Sequence, residues 1–250
     1  MCLFLSCCVL APAWAADFPR TVATVKQSVV GIGTYLKTRS PAVRFVGTGF
    51  IVGDGLNVIT NAHVVPELDA EKLETLGIVI GVGEGVEFRP AVLVGSDREH
   101  DLAQLVMSGR PLPALQLGDG ADMAEGRELA FTGFPLGMML GLHPVTHRAL
   151  LSAIAPIVLP SLNSSKLGAN AILALQRPRF PIYQLDATAY PGNSGSPVYD
   201  PQTGLVYGVI NMVFVKGLKE TAITNPSGIT YAVPVAHVRE LMQGKDLRRK

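Results

Sequence analysis

The segment DATAYPGNSGSPV, residues 186–198, carries one serine whose surroundings suit it to covalent chemistry. Ser194 stands between Gly192-Asn193 and Gly195, in a turn tight enough to present its hydroxyl. Glycine there lets successive backbone N–H groups point into one small concavity. Attack by Ser194 Oγ on a carbonyl carbon would place the developing negative charge on the N–H groups of Gly192 and Ser194, with that of Asn193 nearby. Preorganised donors of this kind are worth about 2.7–4 kcal/mol each. The segment is therefore read as a nucleophile with its oxyanion hole.

A serine hydroxyl needs a base, and the base needs an orienting group. The stretch GTGFIVGDGLNVITNAHVV, residues 47–65, reads as a strand, a tight Asp-Gly turn and a second strand that delivers His63 just past its end. A histidine so placed overhangs a cleft, although by itself it is more often an ordinary surface residue. In SDREHDLA, residues 96–103, a charged loop runs into the apolar strand DLAQLVM with Asp101 at its first position. That placement buries a carboxylate, and an imidazole N–H is a suitable partner for it. Asp97 and Glu99 are competitors that lie further into the loop, where solvation is expected.

The elements that must hold these residues are short. The apolar runs VVGIGTYL, GTGFIV, NVITNAHVV, GIVIGV, PAVLVG, DLAQLVM, ELAFTGF, LVYGVINMVF and GITYAV are strand-length and punctuated by glycine and proline, as in a sandwich or barrel. With 26 glycines and 18 prolines, helices are confined to Thr21–Ser28, Leu68–Leu76 and the tail Pro234–Gln243. The tail opens with proline and spaces Val235, Val238, Leu241 and Met242 for docking on one face. Residues Leu159–Pro181 are the least regular and read as a long loop.

The chain has 250 residues, 48% hydrophobic and 16% charged, enough for one large all-β domain or two small barrels sharing a cleft. Its 21 basic and 20 acidic side chains give a net charge of +1, which argues against nucleic acid or an anionic membrane as partner. The opening MCLFLSCCVLAPAWA is apolar and ends in Ala13-Trp14-Ala15, the small-x-small form of a signal-peptide cleavage site, so residues 1–15 are expected to be removed and 16–250 to form the domain. Cys2 follows Met1 with no basic residue ahead of the run, which is compatible with a start further upstream. Cys2, Cys7 and Cys8 all fall in this leader, so the mature chain is expected to be free of thiols and disulfides. Phe4-Leu5-Ser6 is a poor lipobox before Cys7, and no stable membrane anchor is expected.

Taken together, the motifs resemble the trypsin-like serine proteases, most closely the bacterial HtrA-like branch. The resemblance spans nearly all of the mature chain: GTGFIV and ITNAHVV, SDREHDLAQL, GFPLG ahead of THRALLSAI, DATAYPGNSGSPV, GLVYGVINM and GITYAVPVAHVREL follow that branch's order. The order His63, Asp101, Ser194 suits this fold and differs from that of subtilisins and α/β-hydrolases. The resemblance implies an all-β fold of two six-stranded antiparallel barrels, with the active site in the cleft between them and a helix at the C-terminus. Ser196 stands where the family usually has a second glycine. Many relatives carry a C-terminal PDZ domain, whereas this chain closes on its terminal helix, so regulation through such a domain is not expected.

By the same resemblance, the chain is expected to be an exported serine endopeptidase acting on polypeptides in the periplasm or outside the cell. His63 takes the proton of Ser194, and Asp101 orients the imidazole. The primary pocket is expected to be walled by the segment preceding Ser194 and by the strand Gly208–Met212, which is also expected to pair with substrate backbone, with Ile210 and Asn211 contacting substrate, and to be floored near Thr188. A neutral floor favours small or medium apolar side chains. No cofactor or metal is expected, and assembly into a homo-oligomer is compatible with the resemblance. The alternatives are an esterase using the same triad, a protease-fold protein that binds unfolded chains without cutting them, or a dormant enzyme awaiting a partner.

Overall fold

The computed structural model describes residues 18–68, 71, 73–83, 85–137, 141–156, 180–211 and 228–244. The expected leader, residues 159–179 of the expected long loop and Met212 lie outside the described residues. Six strands, β1 (Val29–Tyr35), β2 (Val43–Val52), β3 (Asn57–Thr60), β4 (Thr75–Val82), β5 (Gly85–Asp97) and β6 (Leu102–Met107), close a first barrel in the order β1-β2-β3-β6-β5-β4. The other six are β7 (Glu128–Gly133), β8 (Val145–Pro156), β9 (Pro181–Asp186), β10 (Pro197–Tyr199), β11 (Val206–Ile210) and β12 (Ile229–Pro234). They close a second barrel in the order β10-β11-β12-β9-β8-β7. The pairings in both barrels are antiparallel, as expected.

Side chains alternate between the two faces of a strand, and in β2 both faces are buried. Ile51 joins Val30, Ile32, Val58, Ile78 and Leu105 inside the first barrel. Phe50 and Val52 join Tyr199, Val206, Val209 and Val233 in a layer between the barrels. This is why GTGFIV lacks the polar interruptions of a half-exposed strand. Inside the second barrel, Leu129, Phe131, Leu151, Leu185, Val198 and Ile210 pack together.

Two helices flank the barrels. Helix α1 spans Phe18–Lys26, so the expected helix begins earlier and stops before Ser28. Helix α2, Val235–Met242, follows Pro234 and puts Val235, Val238 and Leu241 into the layer between the barrels, touching β5 and β6 of one and β11 and β12 of the other. Arg239 donates to the carbonyls of Leu117 (2.7 Å) and Gly118 (2.9 Å), tying the helix to the linker between barrels. The helix expected over Leu68–Leu76 is not borne out at its C-terminal end, where Thr75 and Leu76 open β4 and pair with Tyr35 and Thr34.

Strand β8 exposes half of its residues and buries Ala149 and Leu151. Its His147 lies opposite Phe131 and stacks on that ring at 4.7 Å, with Nε2 buried and without a partner among the described residues. Burial pushes the His147 imidazole below its ordinary value. A histidine held neutral when folded makes the unfolded chain the better proton acceptor below about pH 6.5. Stability is therefore intact above that value and falls as pH drops towards the lowered folded value. The urea midpoint is expected to decline between pH 7.5 and 5, and His147→Phe, which keeps the stack, to flatten part of that slope. An identical slope in the variant would refute this assignment.

Candidate active site

After β3 the chain enters a single 3-10 turn, Ala62–Val64, and this turn hangs from Asp101. The Asp101 carbonyl accepts from Ala62 N–H at 3.1 Å and from the Nδ2 of fully buried Asn61 at 3.0 Å. Its carboxylate accepts from His63 N–H at 2.9 Å and lies 2.6 Å from His63 Nδ1. The same oxygen that faces Nδ1 accepts from Asn211 Nδ2 at 2.8 Å. An anion facing Nδ1 favours the proton on that nitrogen, which leaves Nε2 with the lone pair. Asp101 adopts φ +55 in the turn just before β6, a left-handed conformation that aspartate tolerates better than most side chains.

Asp97 departs from expectation. It is buried, 3% exposed, and accepts from the N–H groups of Glu99 (2.9 Å) and His100 (3.0 Å) and from His100 Nδ1. His100 stacks on His237 of α2 at 3.6 Å, and Phe180 meets it edge-on. Burial, and then the neighbouring His100, lower the pKa of His237. Asp97 is thus the residue that shapes the turn, and that turn presents Asp101.

The turn that carries Ser194 is held by hydrogen bonds that engage some of its N–H groups and, among the described residues, leave others without an acceptor. Pro191 O accepts from Leu136 N–H at 2.7 Å, and Asn193 O accepts from Ser196 N–H at 3.0 Å. In a trans peptide the N–H points opposite to the C=O. The Pro191–Gly192 unit therefore turns Gly192 N–H away from Leu136, and the Asn193–Ser194 unit turns Ser194 N–H away from Ser196. Among the described residues neither N–H has an acceptor. Asn193 N–H is different, because it donates to Tyr190 O at 2.9 Å and is not available as a third oxyanion donor. Gly192 (φ +101) and Gly195 (φ +87) are required here: an added Cβ would lie 2.3 Å from Phe134 O in the first case and 2.0 Å from Thr48 O in the second.

Thr48 ties this turn to the first barrel. Its hydroxyl donates to Gly192 O at 2.6 Å and accepts from Phe134 N–H at 3.1 Å. Its N–H donates to Ser194 O at 2.9 Å, and its own carbonyl accepts from Thr60 Oγ1 at 2.6 Å. Sequence reasoning passed over Thr48; the signal was a threonine between two glycines in an otherwise apolar strand. Ser194 itself is 7% exposed and makes no hydrogen bond to His63; such contacts commonly tighten only in the reacting complex.

The side chains of two residues expected to contact substrate are engaged within the protein. The Ile210 side chain is fully buried in the second barrel, and its backbone is paired with Gly195 and Ser196. The Asn211 side chain is also fully buried and serves Asp101. Thr188 is half-buried beside Ala187 and Ala189, which pack on the second barrel. Ser196 is accommodated because Gly133 faces it: a Cβ on Gly133 would come within 1.9 Å of Ser196 Oγ.

Residues 47–209 match the family described as a trypsin-like peptidase domain. The chain belongs to that family. It is 31% identical over 195 residues, 77% of its length, to a protein of Halomonas elongata named a probable periplasmic serine endoprotease DegP-like. It is 28% identical over 82% of its length to the mitochondrial serine protease HTRA2 of Drosophila willistoni. The solved structure of the HtrA-type protease AlgW with tripeptide is similar over 92% of this chain and 64% of that one, at 25% identity and a TM-score of 0.63. The chain spans 33% and 39% of the lengths of the two sequence relatives.

Two outcomes follow for this trypsin-like peptidase domain. Thr48→Val leaves Phe134 N–H without its acceptor and Gly192 O without its donor. Each buried group so orphaned costs about 1–3 kcal/mol. The variant should remain folded in a urea titration, and the reactivity of Ser194 towards a fluorophosphonate should drop by about 10²-fold, the scale of a small misplacement. Full reactivity would remove Thr48 from its positioning role. Ser196 Oγ is buried without a partner among the described residues, so Ser196→Ala should leave the urea midpoint unchanged or raised. A clear loss of stability would reveal a bond to that hydroxyl.

Proposed function

We propose that this chain is an exported serine endopeptidase acting through Ser194, His63 and Asp101. The observation that carries the reading is the pair of unengaged N–H groups at Gly192 and Ser194, in a chain whose His63 is already oriented by Asp101. His63 Nε2 takes the Ser194 proton as Oγ attacks the scissile carbonyl, and the oxyanion collects on the two N–H groups. The imidazolium, stabilised by Asp101, then protonates the leaving amine, and water repeats the sequence on the acyl-enzyme. Asn211 is a positioning residue, holding the Asp101 oxygen that faces the ring.

Thr188 brings no charge to the pocket, which favours small or medium apolar side chains before the cleaved bond over lysine or arginine. The apolar opening at residues 1–15 and the periplasmic names of the bacterial relatives support export to the periplasm or beyond. Polypeptides are the proposed partners, and assembly with further copies of the chain fits the same reading.

The decisive experiment is fluorophosphonate labelling of the purified protein beside Ser194→Ala and His63→Ala, followed by casein digestion and a peptide library. Labelling that needs both residues, digestion, and faster cleavage after valine, alanine or leucine than after arginine or lysine are expected. A folded protein that is neither labelled nor digests casein would favour a chain-binding role without cleavage.

A further inference from the structure

A groove of about 660 Å³ adjoins the nucleophile turn and includes Gly192 in its lining, but none of His63, Asp101, Thr188 or Asn211. Pro41, Val43, Phe45 and Leu136 give it apolar lining, to which Arg39 and Arg44 add charge. On the endopeptidase reading, on which this inference rests, a bound chain has its scissile carbonyl oxygen at the N–H groups of Gly192 and Ser194. Its acyl half occupies the Thr188 side, so the extended leaving half continues past Gly192 into this groove.

The two charges are unequal in their engagement. Arg39 donates to Glu74 Oε1 at 2.7 Å and to the carbonyls of Thr34 (2.8 Å) and Ala42 (2.9 Å). Glu74 is 8% exposed and also accepts the Thr34 hydroxyl at 2.5 Å. Arg44 is 52% exposed and approaches the same Glu74 oxygen only at 3.8 Å, beyond hydrogen-bond distance. Among the described residues the charged ones that line the groove are Arg39 and Arg44, and Arg39 is the one hydrogen-bonded to Glu74, which leaves Arg44 with donors to offer.

With the leaving side of the substrate in this groove, we infer that Arg44 selects chains with an acidic residue shortly after the cleaved bond. The apolar walls take the stem and neighbouring side chains, and the guanidinium takes the carboxylate. A partly exposed pair of this kind corresponds to roughly a two- to fivefold preference and weakens with salt.

The test uses quenched peptides identical up to the cleaved bond and carrying Glu, Gln or Lys at successive positions after it. A chromogenic amide of the same acyl half, with a small leaving group, is measured in parallel. The wild-type protein is expected to prefer Glu over Lys by a few-fold in kcat/KM at low salt, Arg44→Gln to lose that ratio and Arg44→Glu to reverse it. Because the readout is a ratio within each variant, a change in the amount of folded protein cancels. Equal rates on Glu and Lys peptides in the wild type, or a ratio that survives Arg44→Gln, would overturn the inference while turnover of the amide leaves the endopeptidase reading standing. No turnover of the amide or of any peptide would remove that reading and this inference with it.

Discussion

The whole arrangement depends on how one barrel is registered against the other, and Thr48 is where that registration becomes directional. His63 and Asp101 belong to the first barrel, and Ser194 to a turn of the second. The layer of Phe50, Val52, Tyr199, Val206 and Val233 between them supplies adhesion, but apolar burial has little directional preference and would tolerate small slips. The Thr48 backbone and hydroxyl meet Ser194 O, Gly192 O and Phe134 N–H, which all come from the second barrel's side of the cleft. A slip of the barrels would break these bonds in a buried setting, where each unpaired group is costly. Asn211 adds a second cross-tie, from the end of β11 to the Asp101 carboxylate.

The nucleophile turn reads as an accounting of backbone groups. Buried N–H and C=O groups are almost always paired, so unengaged ones carry information. Leu136 and Ser196 hold the Pro191 and Asn193 carbonyls, and Tyr190 holds Asn193 N–H, which leaves the N–H groups of Gly192 and Ser194. The two glycines make this possible by accepting positive φ where a Cβ would strike backbone oxygens. A disordered form of the turn would have to give up all three of these bonds as well as the Thr48 contacts.

Much of this was legible in the sequence, for identifiable reasons. GNSG in its turn, the histidine beyond a strand and the aspartate before one are local signals, and glycine and proline punctuation marked the strands that are buried on both faces. Strands β8, β9 and β10 were harder: β8 exposes apolar Val145, Leu150 and Ile154 and so lacks a clean alternation, β9 opens with proline, and β10 is three residues long. The overall barrel count came from family resemblance, since apolar runs alone fit a sandwich equally well. What sequence could not reveal was direction. Ile210 and Asn211 sit where a substrate wall was expected, yet one side chain points into the barrel and the other to Asp101, because the period-2 alternation fixes the facing only once the register is known.

The neighbouring pairs Asp97–His100 and Asp101–His63 show how little residue type decides by itself. Each has a carboxylate against an imidazole Nδ1. In the first, the side chains are 2% and 13% exposed, and the imidazole faces are covered by His237 and Phe180. In the second they are 16% and 27% exposed, and among the described residues Nε2 has no acceptor or donor on it. A base must expose a lone pair to the group it deprotonates, and on the proposed reading the more exposed His63 fills that role. The buried pair instead fixes the tight turn from which Asp101 projects, so the two aspartates of SDREHDLA divide the work: Asp97 builds the turn, and Asp101 stands at its end to hold the histidine.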